Sequence, residues 1–225
     1  MTRAVSFETA ATEKAAAVKA QVEKDCMDES LIGLLEAYVD EQVATSVVDE
    51  EANMTLLKLY AIYPTHTSVD NEQTCAAQIL VKGLMNLPSN FFLGASYLVP
   101  ETLRKSKDIA GLLQAGQLLQ TCRFPEFWQL DLAVGKKVPG FEAAIRSFIL
   151  STIGRSHDVV AAAFVAQQVK LGEKEVQALV TELGWTVNGA NYVVKPNSEN
   201  QMRPKKFKED IELTDLIDTI HALSR

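Results

Sequence analysis

Cysteine and histidine are the residue types in this sequence that could hold a metal ion or form a nucleophilic pair. The sequence has three of each, at Cys26, Cys75, Cys122, His66, His157 and His221. No two cysteines form a CxxC pair, whereas a structural zinc site usually takes four nitrogen or sulfur ligands from two close pairs. The spacing therefore gives no support for a metal centre. We expect no cofactor, and reduced thiols that are mostly buried.

The sequence also lacks the common motifs of catalysis. GxSxG, HExxH, GxxxxGK[ST] and GxGxxG do not occur. A Cys–His nucleophile is conceivable for any of the three cysteines. However, Cys75 and Cys122 lie on or next to the apolar faces of predicted helices, where a thiol usually acts as a small hydrophobic group. The sequence therefore predicts a protein that is not an enzyme.

Basic residues are concentrated in one run near the C-terminus, formed by Arg203, Lys205, Lys206 and Lys208. Such a run is either a solvated linker or a contact with RNA or an acidic partner. The net charge of the chain is −7, whereas a general nucleic-acid binder needs a surplus of Lys and Arg to displace counterions from phosphates. Charge therefore limits any nucleic-acid contact to a local patch.

The elements that must position these residues are mostly helices. Apolar side chains recur at helical spacing, for example at Leu31, Leu34 and Leu35, and several of the helical segments stop or start at prolines. Taken in pairs, the helices make hairpins of roughly 35 residues, the size of a solenoid repeat. No consensus recurs with a fixed period. The first two-thirds of the chain is therefore predicted to be an irregular stack of helices.

The pattern changes after residue 155. Two further helices are predicted at 157–168 and 173–183, and Asn188–Gly189 follows between β-branched and aromatic residues. Asn-Gly in this setting is a strong β-hairpin signal. The first of these two helices is expected to turn three side chains inward, Val160, Ala163 and Phe164. Two helices followed by a hairpin are typical of a winged helix.

The charge of the second helix bears on what such a domain would bind. A helix that reads nucleic acid presents Arg, Lys, Asn or Gln to the groove. Residues 173–183 offer instead Glu173, Glu175 and Glu182 against Lys174. This surface would repel phosphate, so we expect the domain to dock onto protein and to make no sequence-specific contact with nucleic acid.

A last amphipathic helix carries one apolar stripe, made by Leu213, Leu216, Ile217, Ile220 and Leu223. Two interpretations are open. The helix folds back onto its own domain, or it enters a bundle with helices of partner chains. Its position after a polar segment suits the second interpretation.

Four stretches, spread in order over the central part of the chain, resemble a known family. They are EANMTLLKLYAIYP at 51–64, AAQILVKGLMNLP at 76–88, LLQTCRFPEFWQL at 118–130 and GFEAAIRSFI at 140–149. Together they resemble the k-subunit family of the eukaryotic translation initiation factor three complex. That family is related to subunits of the proteasome lid and the COP9 signalosome, which share its plan of helical repeats and a winged helix.

The resemblance implies a mainly α fold. A HEAT-like helical-repeat domain at 1–135 would precede a winged-helix (PCI-like) domain at 136–225 that has a small β-hairpin and a C-terminal helix. It also implies a non-catalytic scaffold that supports binding of the small ribosomal subunit, initiator tRNA and mRNA.

The resemblance implies partners as well, namely the other subunits of that complex and chiefly its l subunit. With no apolar run long enough to span a bilayer, we expect a cytoplasmic protein with no membrane partner, and leave a nuclear pool open. Two alternative hypotheses are a scaffold subunit of the proteasome lid or signalosome, and a winged-helix protein that binds nucleic acid.

Overall fold

The structure is a computed structural model that describes residues 13–45, 47–64, 69–195 and 213–224 of the 225-residue chain. The chain divides after Lys195 into a large compact unit and a C-terminal unit. The described residues are mainly helical and include one three-stranded sheet. The prediction of a mainly helical protein is therefore confirmed. None of the described helices is both long enough and apolar enough to cross a membrane.

Helices form the first part of the large unit and continue around the sheet. Up to the sheet they are α1 (Glu13–Lys24), α2 (Leu31–Thr45), α3 (Glu50–Ile62), α4 (Val69–Met85), α5 (Phe91–Leu98), α6 (Glu101–Arg104), α7 (Lys107–Gln120), α8 (Phe124–Phe127), α9 (Ala133–Lys137) and α10 (Phe141–Ser156). The rest of the described chain contains β1 (Val159–Ala161), α11 (Ala162–Val169), α12 (Glu173–Glu182), β2 (Thr186–Asn188), β3 (Asn191–Val193) and, in the C-terminal unit, α13 (Leu213–Leu223).

The start of α3 shows why the sequence begins a helix there. The Asp49 carboxylate accepts a hydrogen bond of 3.0 Å from the backbone N–H of Ala52, which caps the first turn. Glu50 and Glu51 follow in that turn, where negative charge is favourable next to the helix dipole. The helix therefore begins at a residue that caps it and two that suit its dipole.

α4 lies at the centre of the large unit and packs against helices from both ends of it, α2, α3, α5, α6, α7, α9 and α10. Its apolar face, with Ile79, Leu80 and Leu84, is fully buried. Burial extends further round the helix than the sequence suggests, because the side chain of Lys82 is only 2% exposed. Apolar burial on this scale is the main source of stability of such a unit.

The contact of α5 with α4 and α7 is close because two glycines leave room for one aromatic ring. The ring of Phe92 lies against Gly83 of α4 and Gly116 of α7. A Cβ atom added at Gly116 would lie 2.0 Å from Cε1 of Phe92, and one added at Gly83 would lie 3.2 Å from its Cβ. The absence of a side chain at Gly116 is therefore a condition of this packing.

The sheet has the order β1-β3-β2, with both neighbours antiparallel to β3. The predicted hairpin at Asn188–Gly189 is confirmed as β2 and β3, and Gly189 has a positive φ of 60°. The prediction of one helix over 157–168 was wrong at its start. Residues Val159–Ala161 are the strand β1, in which Val160 faces Tyr192 of β3, and the helix begins at Ala162.

The expected inward face of that helix was also wrong in part. Val160 is buried as expected, but Ala163 and Phe164 are exposed. The strand shifts the start of the helix, so Val165, Gln168 and Val169 are the residues that turn inward instead. The pairing partner of β1 lies about thirty residues later in the chain, so no local pattern indicated the strand.

Candidate protein-interaction surfaces

α13 exposes the apolar stripe that the sequence predicted. The helix spans Leu213–Leu223, and the side chains of Leu216, Ile217, Ile220 and Leu223 are 46–83% exposed. Leu213 is its first residue. An isolated helix of eleven residues is marginal in water, and large aliphatic side chains left in solvent gain nothing from burial. The stripe is therefore a surface that a partner could cover with a large gain in apolar burial.

The basic run of Arg203, Lys205, Lys206 and Lys208 lies outside the described residues. Its contact with RNA or an acidic partner stays a prediction.

α12 presents an acidic outer surface, as its sequence predicted. Val176 and Val180 are buried against the rest of the unit, while Glu173, Glu175 and Glu182 are exposed. The Glu175 carboxylate accepts a hydrogen bond of 3.2 Å from the backbone N–H of Gly172 and caps the helix. A helix with this charge repels a phosphate backbone and attracts a basic protein surface.

The cysteines divide between the interior and the surface. Cys75 is buried in α4, and burial together with nearby Glu36 raises the pKa of its thiol to about 11. At neutral pH it is therefore a protonated thiol and a poor nucleophile. Cys26 and Cys122 are exposed, so the expectation that the thiols are mostly buried was wrong. Cys122 lies in the turn after α7, where its φ of 58° ends the helix and turns its side chain outward.

A metal centre was not expected, and the described residues contain no group of three or more His, Cys, Asp and Glu side chains that could hold an ion.

A group of long-range contacts fixes the sheet-bearing part of the unit to the helices before it. The indole N–H of Trp128 donates to the carbonyl of Gln168 at 2.8 Å, and the Lys170 ammonium donates to the carbonyl of Trp128 at 3.2 Å. The Arg146 guanidinium carbon lies 5.2 Å from the centre of the Trp128 ring. We call this group the Trp128 junction. It joins α8 to α10 and α11, so surfaces on either side of it keep a fixed relation within the unit.

A second polar group lies inside the junction of α2 and α3. Gln42 and Asn53, both buried, exchange side-chain hydrogen bonds of 3.0 and 2.9 Å. The Gln42 amide oxygen also accepts from the backbone N–H of Asp49 at 2.9 Å. Each bond satisfies a group that would be costly to bury alone, so this pair fixes how the two helices meet. The pair cannot be recognised in the sequence, because its two members lie eleven residues apart on helices whose crossing angle no local pattern gives.

Comparison with known proteins gives matches that extend over most of the chain. A sequence model of the CSN8/PSMD8/EIF3K family matches residues 70–206. The human and Xenopus tropicalis proteins named eukaryotic translation initiation factor 3 subunit K are 30% and 31% identical to this chain over 200 residues. These residues are 86% of this chain and 88% of each relative. The protein of that name from Nematostella vectensis is 26% identical over 193 residues, which are 84% of this chain and 88% of the relative.

Proposed function

The chain belongs to the CSN8/PSMD8/EIF3K family, and from this membership we propose that it is a non-catalytic scaffold subunit of the eukaryotic translation initiation factor three complex. The observation that carries the proposal is the similarity to proteins named as subunit K of that factor, which covers 86% of this chain and 88% of the human relative. A match of this extent relates whole folds and not one motif.

The architecture that we propose has a HEAT-like domain at 1–135 and a winged-helix domain at 136–225. The order α10, β1, α11, α12, β2, β3 supports the winged helix, since β3 lies between the other two strands. The succession of helices α1 to α9 supports the helical-repeat assignment. The Trp128 junction would hold the two domains in one orientation.

Within the complex we propose that α13 is a partner-binding helix. Its exposed stripe, made by Leu216, Ile217, Ile220 and Leu223, suits packing against helices of neighbouring subunits. The l subunit would be the chief neighbour, and the small ribosomal subunit would be reached through the complex in the cytoplasm. The acidic surface of α12 supports docking onto protein over reading of nucleic acid.

A second candidate function has one observation in its favour. The matching family description also names a signalosome subunit and a proteasome subunit, so a scaffold of one of those assemblies shares the fold. The named relatives favour the initiation factor, because the curated proteins with 26–31% identity carry its name.

Purification of the chain with its native partners tests the proposal. An affinity tag on the chain, followed by mass spectrometry of what co-purifies from extract at physiological salt, is expected to recover the initiation factor subunits, with the l subunit at equal amount. Recovery of proteasome-lid or signalosome subunits in their place would favour the second candidate. Recovery of none of the three assemblies would reject the scaffold proposal.

A further inference from the structure

We propose that the surface formed by the end of α5, the start of α7 and α9 binds an acidic protein segment that also carries a large apolar side chain. We call it the lysine surface and define it by Lys105, Lys107, Lys136, Lys137 and Tyr97. It lies away from α13 in sequence, and the partner it implies deepens the proposed function, on which it rests for its biological setting.

Two lysines of this surface, Lys107 and Lys136, act on a single carboxylate. Asp131 accepts a hydrogen bond of 3.0 Å from Lys136, and this bond, with the added charge of Lys107, holds the pKa of Asp131 below its usual value. α7 passes close by, since a Cβ atom at Gly111 would lie 3.6 Å from the Leu132 side chain. The charges of two ammonium groups, one on α7 and one on α9, therefore both influence Asp131.

The surface carries an excess of positive charge within an acidic chain. Residues 104–108 and 131–137 hold five cations and two carboxylates, a net charge of +3, although the whole chain has −7. Lys105, Lys107 and Lys137 are exposed, and among the described residues none has a carboxylate within 4.0 Å. Their charge is available to a partner, and it would steer an acidic partner to this surface.

Two exposed apolar side chains lie on α5, the helix that Arg104 links to the lysine-bearing segment. Tyr97 is 75% exposed at the end of α5, and Leu93 one turn earlier is 41% exposed. The Arg104 guanidinium ties this end of α5 to the lysine-bearing segment, because it donates to the carbonyls of Ser96 at 2.6 Å and Val99 at 3.1 Å. A partner that reaches the lysines can therefore also cover the Leu93–Tyr97 pair.

The same observations favour protein over RNA. The Nε and Nη2 edge of the Arg104 guanidinium is occupied by backbone carbonyls, so that edge cannot form a bidentate contact with phosphate. Leu93 and Tyr97 together form an exposed apolar contact for a protein side chain. A base of RNA would stack on the Tyr97 ring alone and would not use Leu93.

Fluorescence anisotropy on the full chain tests the proposal. The probe is a labelled peptide of about 15 residues that alternates Asp and Glu with Leu and Phe, which is long enough to cover one such surface. K105E/K107E/K136E is expected to weaken binding by about ten-fold or more. K19E/K174E/K195E is the matched control, because it changes three exposed lysines elsewhere and gives the chain the same net charge. It is expected to bind within about two-fold of the unchanged chain.

A second variant and a second probe make the outcome decisive. Y97A is expected to weaken binding of the peptide by a few-fold, about as much as the loss of one partly buried contact. The proposal is overturned if the control variant weakens binding as much as the surface variant does. It is also overturned if a labelled oligouridine of equal length binds more tightly than the peptide, or if no binding of the peptide is detected at low salt. Because the isolated chain is used, these outcomes do not depend on which complex it enters.

Discussion

α4 and α13 have similar apolar patterns in sequence but opposite surroundings in the structure. From Cys75 to Met85, α4 is covered on nearly every side, so that even Lys82 is buried. α13 leaves Leu216, Ile217, Ile220 and Leu223 exposed. An amphipathic pattern therefore shows that a helix needs a partner, but not whether the partner belongs to the same chain. The difference divides the described residues into a part whose apolar side chains are covered by its own packing and a helix whose stripe is left exposed.

The largest expected effect comes from charge on the stripe of α13. Changing Leu216, Ile217 and Ile220 together to Asp should abolish incorporation into the complex, because three carboxylates cannot be buried in a helical bundle without large cost. The midpoint of thermal unfolding of the isolated chain should stay within about 1 °C, since these side chains are already exposed. Co-purification and thermal unfolding are the two measurements.

Ala222→Asp is the control for that prediction, because helical spacing puts Ala222 opposite the stripe. It should leave incorporation intact. If the triple variant lowers the unfolding midpoint of the isolated chain by several degrees, α13 belongs to the stable part of the molecule and the comparison with α4 fails.

The next largest effect concerns packing inside the large unit. Gly116→Ala would place a methyl group 2.0 Å from a carbon of the buried Phe92 ring. We expect a loss of about 2–3 kcal/mol in the free energy of unfolding, measured by urea denaturation.

Gly33→Ala in α2 is the matched control, since a Cβ there meets nothing within 4 Å. It should raise the free energy of unfolding by about 0.5–1 kcal/mol, because alanine is the better helix former. An equal response of the two variants would show that α5 and α7 are not packed as closely as described.

Lys82 tests the completeness of burial around α4. Its ammonium has no hydrogen-bond partner among the described residues, and burial lowers its pKa to about 8. An unfolded lysine keeps a pKa near 10.4. Between about pH 8 and 10.4 the unfolded chain therefore binds more protons than the folded chain, and the Lys82 contribution to stability rises with pH.

Lys82→Met should raise the free energy of unfolding by about 2 kcal/mol at pH 7, with the gain shrinking as pH approaches 10. The raised pKa of Cys75 makes its own contribution to stability fall with pH over that range. Both chains contain Cys75, so the difference between their free energies of unfolding reports on Lys82 alone. Lys58→Met, at an exposed position of α3, should change stability little at any pH. If Lys82→Met is less stable than the unchanged chain at pH 7, the buried Lys82 ammonium stabilises the folded state and this prediction is wrong.

The smallest expected effect concerns one hydrogen bond in the large unit. The hydroxyl of the buried Tyr60 donates to the Glu36 carboxylate at 2.8 Å. Tyr60→Phe should lower the free energy of unfolding by about 1 kcal/mol, measured in urea. Tyr63→Phe is the control, since its hydroxyl bonds the carbonyl of Met27 near the surface and should matter less.

The sequence allowed most helices, the hairpin and the stripe of α13 to be predicted, because each depends on neighbours within one or two turns. Val159–Ala161 could not be recognised as a strand, because its pairing partner in β3 is remote in sequence. Lys82 could not be assigned to the interior for a similar reason, since its burial depends on several helices that meet at α4.

The candidate surfaces divide in the same way. The acidic α12 and the apolar α13 follow from local patterns. The lysine surface depends on the approach of α7 to residues 131–132, which the pattern of neither segment indicates. The Trp128 junction likewise joins residues about forty positions apart. The sequence predicted what each element exposes, but not which elements lie side by side.

The Trp128 junction has a consequence for optical spectroscopy. The chain has two tryptophans, Trp128 and Trp185, and the second is buried with its ring close to Gly154 of α10. Both indoles therefore report on α10 and its surroundings, whereas α1 to α5 carry no tryptophan. Intrinsic fluorescence follows the junction, and circular dichroism at 222 nm follows all the helices. If the two unfolding curves have different midpoints, the first helices and the sheet-bearing part unfold separately.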